Sequence, residues 1–322
     1  MKPIEENVND QDGGRGGRMK YVFGPVASRR LGLSLGVDLV PRKCCSYDCI
    51  YCQVGRTTMR TLEVKPYLPS EAILEELGQR LDNTDPDVVT LSGSGEPTLH
   101  GEIGVIIKGI KSMTSRKVAI LTNGSLLWND RVRRSLLETD IIMPTLSTAR
   151  ESTFRTIHRP HPDLQLPKIL EGLELLRKEF KGFIGLEIML ISGINDGEAE
   201  LKVLKKVVDD LEVDQVQLNT VVRPPADASA LALEGQRLEE IREFFGANAA
   251  IISHNRREKK APRSTHLSAS ILEVVKRRPL RAIDVADALN APLREVEAQM
   301  QTLVRKGELR AKRHADSIYY TQ

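Results

Sequence analysis

No apolar run in these 322 residues approaches the ~20 needed to span a bilayer, although 40% of the chain is hydrophobic. The opening MKPIEENVNDQDGGRGGRMK also lacks the apolar core of a secretory signal. Charge is equally sparse in information: a net of +3 announces neither a nucleic-acid nor a membrane protein. A cytoplasmic location without a membrane partner is the expectation. Cysteine is scarce and crowded, with four residues that all fall between Cys44 and Cys52. A disulfide framework needs cysteines dispersed enough to close useful loops, so it is excluded. In a reducing compartment such a group points to metal binding or catalysis.

The length suits one large domain and a small one. Residues 1–18 are polar and Gly-rich, without hydrophobic period, and are expected to form a disordered tail. A core over 19–254 follows. Within it the runs SLGVDLV, DVVTLSG, KVAILTNG, IIMPTLS, GLEIMLISG and DQVQLNTVV have the composition of strands buried on both faces. Helical patterns lie between them. Ile73, Leu74, Leu77 and Leu81 share one face, with Ser70 placed as N-cap. The same spacing recurs at Ile103, Ile106, Ile107 and Ile110, at Ile169, Leu170, Leu173 and Leu176, at Leu201, Leu204, Val208 and Leu211, and again near 234–246. Alternating strands and helices imply a parallel sheet, either a curved partial barrel or a doubly wound sheet. In both, ligands bind at the C-terminal ends of the strands. The cysteines, SGEP and NGS follow the first three runs.

Residues 255–266, NRREKKAPRSTH, are charged and lack an apolar period, as a linker would. Residues 267–322 carry three helical patterns and a final hairpin pattern, the plan of a winged-helix domain.

The cysteines allow two registers. Cys44, Cys49 and Cys52 give C-x4-C-x2-C, which needs a distant fourth cysteine that the chain does not have. Cys45, Cys49 and Cys52 give C-x3-C-x2-C, three thiolates that leave one iron of a cubane open, as a catalytic site requires. Zinc would want a second cysteine pair or a histidine close by in sequence, and neither is present. Cys44 is expected to pack rather than ligate.

Cys45-Ser-Tyr-Asp-Cys49-Ile-Tyr-Cys52 resembles the signature of the radical S-adenosylmethionine (radical SAM) superfamily. The likeness runs from about Tyr21 to Arg223 through FGPVASRRLG, SGSGEPTLH, HRPH and LNTVVRPP. It is nearest the branch that includes the wyosine-type tRNA-modifying enzymes and their single-cluster relatives. It implies an α/β fold, a partial (β/α)6 radical-SAM barrel. It implies a 4Fe–4S cluster on Cys45, Cys49 and Cys52, with S-adenosyl-L-methionine (SAM) chelating the open iron. Reductive cleavage would then give a 5′-deoxyadenosyl radical that abstracts hydrogen from a substrate, with a flavodoxin or ferredoxin as electron donor. The SAM contacts implied are Tyr51 beside adenine, Ser94, Gly95 and Glu96 in the loop after the second strand, Asn123, Ser147 and Asn219. No cysteine remains for a second cluster, unlike the true wyosine-forming enzymes, so their reaction is not carried over.

Arg159, His161 and Arg223 are placed at the barrel mouth, either to hold an anion or to brace loops, and Arg29 and Arg30 are similar. Isolated histidines such as His100 and His158 are expected to be structural. From Ser264 onward ten Lys/Arg oppose seven Asp/Glu, whereas the remainder balances at 37 each. That surplus suits docking of an RNA or peptide substrate by the winged helix. The competing class is an iron–sulfur-dependent regulator that binds DNA through the winged helix.

Overall fold

The six runs become consecutive parallel strands, and right-handed crossovers that all advance in one direction put the intervening helices, with their apolar stripes, on one face of the sheet. The computed structural model describes residues 21–252, 267–277, 279–289, 291–314 and 317–322. The expected tail (1–18) and linker (255–266) lie outside them.

The chain opens with β1 (Val22–Ser28) and β2 (Gly32–Val37), then the short β3 (Cys44–Cys45) and β4 (Met59–Arg60). The repeats follow: α1 (Ser70–Leu81), β5 (Val88–Leu91), α2 (Ile103–Met113), β6 (Lys117–Thr122), α3 (Asp130–Ser135), β7 (Ile141–Pro144), α4 (Glu151–His158), α5 (Leu166–Glu179), β8 (Phe183–Leu190), α6 (Glu198–Leu211), β9 (Gln215–Thr220), α7 (Gly235–Phe245) and β10 (Ala249–Ile251). The main sheet has the order β1-β2-β5-β6-β7-β8-β9-β10. Every pair from β2 onward is parallel. Strand order follows chain order without reversal, so there is no switch point of the kind that defines a doubly wound sheet. The wall advances in one direction, as in a barrel.

Two strands escape the periodicity. β1 pairs antiparallel on the outside of β2, with its register shifting between Phe23 and Val26. Pro25 sits in that shift; a residue without an N–H is tolerated at a sheet edge. β10 has three residues, too few to show a pattern. One helix start also differs from expectation. Pro69 occupies the N-cap of α1, and the Ser70 hydroxyl instead donates to Glu102 at 2.6 Å.

One polar device recurs at the N-terminal ends of the strands. The aspartate preceding a strand accepts the amide that opens the neighbouring strand. Asp87 takes Leu33 N–H at 2.9 Å, Asp140 takes Val118 N–H at 2.7 Å, and Asp214 takes Ile184 N–H at 2.8 Å. Each clasp satisfies a donor that the ladder leaves over.

The C-terminal part comprises α8 (Leu267–Arg277), α9 (Ala282–Leu289), α10 (Leu293–Arg305) and the antiparallel hairpin β11 (Arg310–His314) and β12 (Ser317–Thr321). In α10, Val296, Met300 and Leu303 are buried while Arg294, Glu295, Glu297, Gln301 and Arg305 face solvent. The core of this part includes Val26 of β1, so it is seated on the barrel edge. It reaches the other side as well: the Tyr319 hydroxyl donates to the Val222 carbonyl beyond β9 at 2.6 Å. Arg80 and Glu273 add an ion pair at 2.8 Å. None of the described helices is long and apolar enough to cross a membrane.

Candidate functional site

The loop from Pro41 to Arg60 folds over the C-terminal ends of β2 and β5. Its first turn depends on Lys43, whose φ of +62° lies in the left-handed region that non-glycine residues rarely occupy. Three hydrogen bonds hold it there: Lys43 N–H donates to the Ser94 carbonyl at 2.8 Å, and its own carbonyl accepts from Thr58 and Met59 at 3.2 and 3.1 Å. The strain therefore presents the cysteines in a set direction. Cys45, Cys49 and Cys52 are half-buried and free, and Cys44 is fully buried among Val40, Leu99, Leu126 and Val132.

Burial pushes the Cys45 thiol up to about 12, and the Glu96 and Cys52 charges add to it. Cys49 is likewise raised, by burial and then by Cys45 and Cys52. Cys45 and Cys49 thus lie where burial disfavours ionisation, and Lys43, whose Nζ is 3.4 Å from the Cys52 sulfur, together with hydrogen bonds from Tyr47 N–H and the Tyr51 hydroxyl, offsets this only in part. That donor set fits an iron–sulfur cluster, because cationic irons would supply the missing charge and displace the thiol protons. Among the described residues no group of three His, Cys, Asp or Glu side chains is arranged to hold a single metal ion. Ligands of separate irons in a cubane stand farther apart than ligands of one zinc.

His158, expected to be merely structural, is brought to this site. Its Nδ1 lies 3.3 Å from the Cys49 sulfur, and its ring stacks among Tyr47, Phe154 and Tyr51. Burial holds it down to about 3, so it is neutral and shares a proton with the thiol through whichever tautomer it adopts. The separation of 109 residues hid this contact from sequence reasoning.

The loop after β5 is locked to the cysteine loop rather than free beside it. The Ser94 amide and hydroxyl both donate to Asp38, at 2.6 and 3.1 Å. Glu96 N–H donates to the Cys44 carbonyl at 3.0 Å. A Cβ on Gly95 would stand 2.1 Å from that carbonyl, so the close approach that demands glycine is made by the cysteine loop itself. The Glu96 carboxylate is buried, which raises its proton affinity. It accepts from Thr98 N–H at 3.1 Å, the Thr98 and Thr122 hydroxyls at 2.6 Å each, and Asn123 N–H at 2.7 Å. Asn123 in turn donates to the Ser46 hydroxyl at 2.8 Å and lies 3.5 Å from the Cys45 sulfur. Ser46 and Ser125 share a hydrogen bond of 2.6 Å.

Of the residues singled out in the sequence, Ser94, Gly95, Glu96 and Asn123 surround the cysteine loop, and Tyr51 lies on it. Two others stand apart. Ser147 is fully buried and its hydroxyl accepts from Met189 N–H at 3.3 Å. Asn219 faces the lumen, donating to Glu187 at 2.9 Å beside Arg29 and Arg30, the latter paired with Glu187. Arg159 braces loops through Asp227 at 2.7 Å, His161 N–H donates to the Ser46 carbonyl at 2.8 Å, and Arg223 donates to Gln53 at 2.9 Å. A separate cavity of about 660 Å³, lined by residues such as Arg155, Leu166 and Glu174, lies among the outer helices. It includes no residue of the cysteine loop.

Fold and site together define a β/α barrel protein with a three-thiol loop at the strand C-terminal ends. Residues 39–203 match the Radical SAM superfamily profile, and the chain belongs to that superfamily. A UPF0026 protein of Methanocaldococcus jannaschii is 35% identical over 241 residues, which cover 74% of each chain. A protein named GTPase Obg, from Brachyspira hyodysenteriae, is 36% identical over 297 residues; these are 91% of this chain but 44% of that protein, so the chain spans less than half of it. Among solved structures, TYW1 with a lysine-pyruvate adduct bound superposes with a TM-score of 0.50 at 18% identity. The match covers 69% of this chain and 75% of that one, a likeness of fold. The protein is a radical SAM enzyme, and the family implies a 4Fe–4S cluster and SAM.

Proposed function

We propose that Cys45, Cys49 and Cys52 hold the cluster and that the chain uses it to make a substrate radical. When bound, the cluster and SAM supply reductive cleavage of SAM to methionine and a 5′-deoxyadenosyl radical. The observation that carries the assignment is three free thiols on one strained loop at the strand C-terminal ends, whose charges act on one another. Lys43 and His158 position two of these sulfurs. The Ser94–Glu96 loop receives the methionyl amine, with the Ser94 and Glu96 side chains bracing it against Asp38 and Asn123. Tyr51 flanks the adenine, and Asn123 holds Ser46 and its loop in register. Ser147 and Asn219 contribute from within the wall. A flavodoxin or ferredoxin supplies the electron, and the setting is the cytoplasm.

The three helices and hairpin after residue 266 have the plan of a winged helix, which docks the substrate, an RNA base or a peptide, against the mouth. A DNA-binding regulator leaves the barrel without a role and is not supported by the family.

The test is anaerobic iron and sulfide analysis with electron paramagnetic resonance of the reduced protein, with and without SAM. About four irons per chain, a spectrum perturbed by SAM, and 5′-deoxyadenosine on reduction are expected. A loaded cluster indifferent to SAM, or zinc in its place, would overturn the reading.

A further inference from the structure

The lumen beside β8 and β9 holds more positive than negative charge. Arg29 and Arg30, in the turn between β1 and β2, act on each other's charge and on that of Arg223 beyond β9, which Arg281 just before α9 also reaches, with Glu187 and Asp284 as the acids among them. Two of the four guanidiniums are neutralised. Arg30 pairs with Glu187, and Arg281 binds Asp284 through two hydrogen bonds of 3.0 and 2.9 Å. The other two have neutral partners. Arg223 donates to the Gln53 side chain at 2.9 Å, and Arg29 reaches the Asn219 side chain and the Ile252 carbonyl, each at 3.4 Å. Among the described residues neither has a carboxylate at ion-pair distance. Burial pushes Arg29 down to about 10, and repulsion from Arg223 and Arg30 adds to the effect. Among the described residues Glu187 and Asp284 offset only part of this charge, and positive charge in excess in a partly dehydrated place is costly unless a ligand completes it.

Location gives that charge a use. Gln53 directly follows Cys52, so Arg223 is tied to the end of the cysteine loop. The far wall comes from the C-terminal part: Tyr319 bonds the Val222 carbonyl, and the charges of Asp284 and Arg281 act on Arg223.

We propose that Arg29 and Arg223 form an oxyanion site that takes a phosphate group of the substrate, placing a nucleotide-type molecule between the barrel mouth and the C-terminal part. Two planar donor forks and two surplus charges suit a phosphate dianion better than a monovalent carboxylate. The proposal rests on the radical SAM reading for its substrate, yet the site is testable without turnover.

The experiment is calorimetric titration of the full, cluster-loaded chain at constant ionic strength, without reductant. Inorganic phosphate and adenosine monophosphate are compared with acetate, in the presence and absence of SAM. Phosphate is expected to bind more tightly than acetate and to do so with SAM present. Arg29→Gln and Arg223→Gln should each weaken it about tenfold or more. Arg223→Lys, which keeps the charge and loses the fork, should give an intermediate loss; Asp284→Asn, which removes a competing charge, should tighten binding. Equal affinity for acetate, displacement of phosphate by SAM, or phosphate binding unchanged in the two glutamine variants would each overturn the site. Failure of SAM cleavage with phosphate binding intact would instead strike the enzymatic reading.

Discussion

The two ends of the barrel are held by different kinds of contact. At the N-terminal ends of the strands one aspartate–amide clasp is used three times, by Asp87, Asp140 and Asp214. At the C-terminal ends a carboxylate–amide contact recurs only from Asp38 to Ser94 and from Glu96 to Asn123, and the rest of the network is varied. Asp38 holds Ser94, Glu96 holds Asn123, and Ser46 bonds both Asn123 and Ser125, and together these contacts lash one loop to three strands. Repetition at one end marks a solution to a problem that every strand shares, an amide left without a partner. Variety at the other marks a problem posed once, the aiming of three thiols. Damage at the mouth should therefore fall on the cluster, and damage at the base on stability.

The sharpest break is Cys49→Ser. Removing one of three thiolates should abolish stable cluster loading and 5′-deoxyadenosine formation, read by iron content and product chromatography. Cys44→Ser, in the buried neighbour, should keep its iron. A cluster that survives loss of Cys49 and fails with loss of Cys44 would reinstate the C-x4-C-x2-C register. Next is Gly95→Ala. Its Cβ would meet the Cys44 carbonyl at 2.1 Å, so the cysteine loop must move away from the β5 loop. Iron loading should drop severalfold while the circular dichroism of the barrel is retained. Glu96→Gln should be milder. An amide can satisfy the three donors on one oxygen but then faces Asn123 N–H with a donor of its own, at a cost of about 1–3 kcal/mol. Chemical denaturation reads the loss, and Asn123 would release Ser46, raising the rate of cluster loss on chelation.

Why the base was legible and the mouth only partly so follows from range. Strand and helix faces are periodic, and the buried residues of α2 and α6 fall where the spacing placed them, whereas Leu170 of the expected α5 face is only partly buried and lines the outer cavity. Alternation implied a parallel sheet but left its strand order open between a barrel and a doubly wound sheet; the family resemblance pointed to the barrel. What depends on distant residues was not visible: His158 against Cys49, the Arg29 turn reaching Asn219 across 190 residues, and α9 resting on β1. The edge strands were missed because one contains Pro25 and the other is three residues long. Glu96 was seen as a ligand-side residue from its motif. Its four acceptor contacts show a brace, and no local pattern distinguishes those roles.

The smallest effect, and the one that best isolates the base, is that of Asp140. Burial alone would raise its pKa, but the hydrogen bond from Lys111 and the amide of Val118 outweigh burial and hold it below the ordinary carboxylate range. A carboxylate with a lowered folded-state pKa stabilises the native state at neutral pH, and that contribution is lost as pH falls through its folded value. Asp140→Asn should therefore cost about 1 kcal/mol at pH 7, since the ion pair is partly exposed and an asparagine oxygen can still accept the amide. The gap between wild type and variant should stay level from neutrality down to the ordinary carboxylate range and then shrink as the pH falls on toward Asp140's depressed folded value. Iron loading and the reduced-state spectrum should be the same in both proteins, because Asp140 acts at the opposite end of the strands from the thiols. A gap that persists in acid would assign the loss to packing of the Asp140 turn, and a change in the spectrum would mean that the two ends are mechanically coupled through β6.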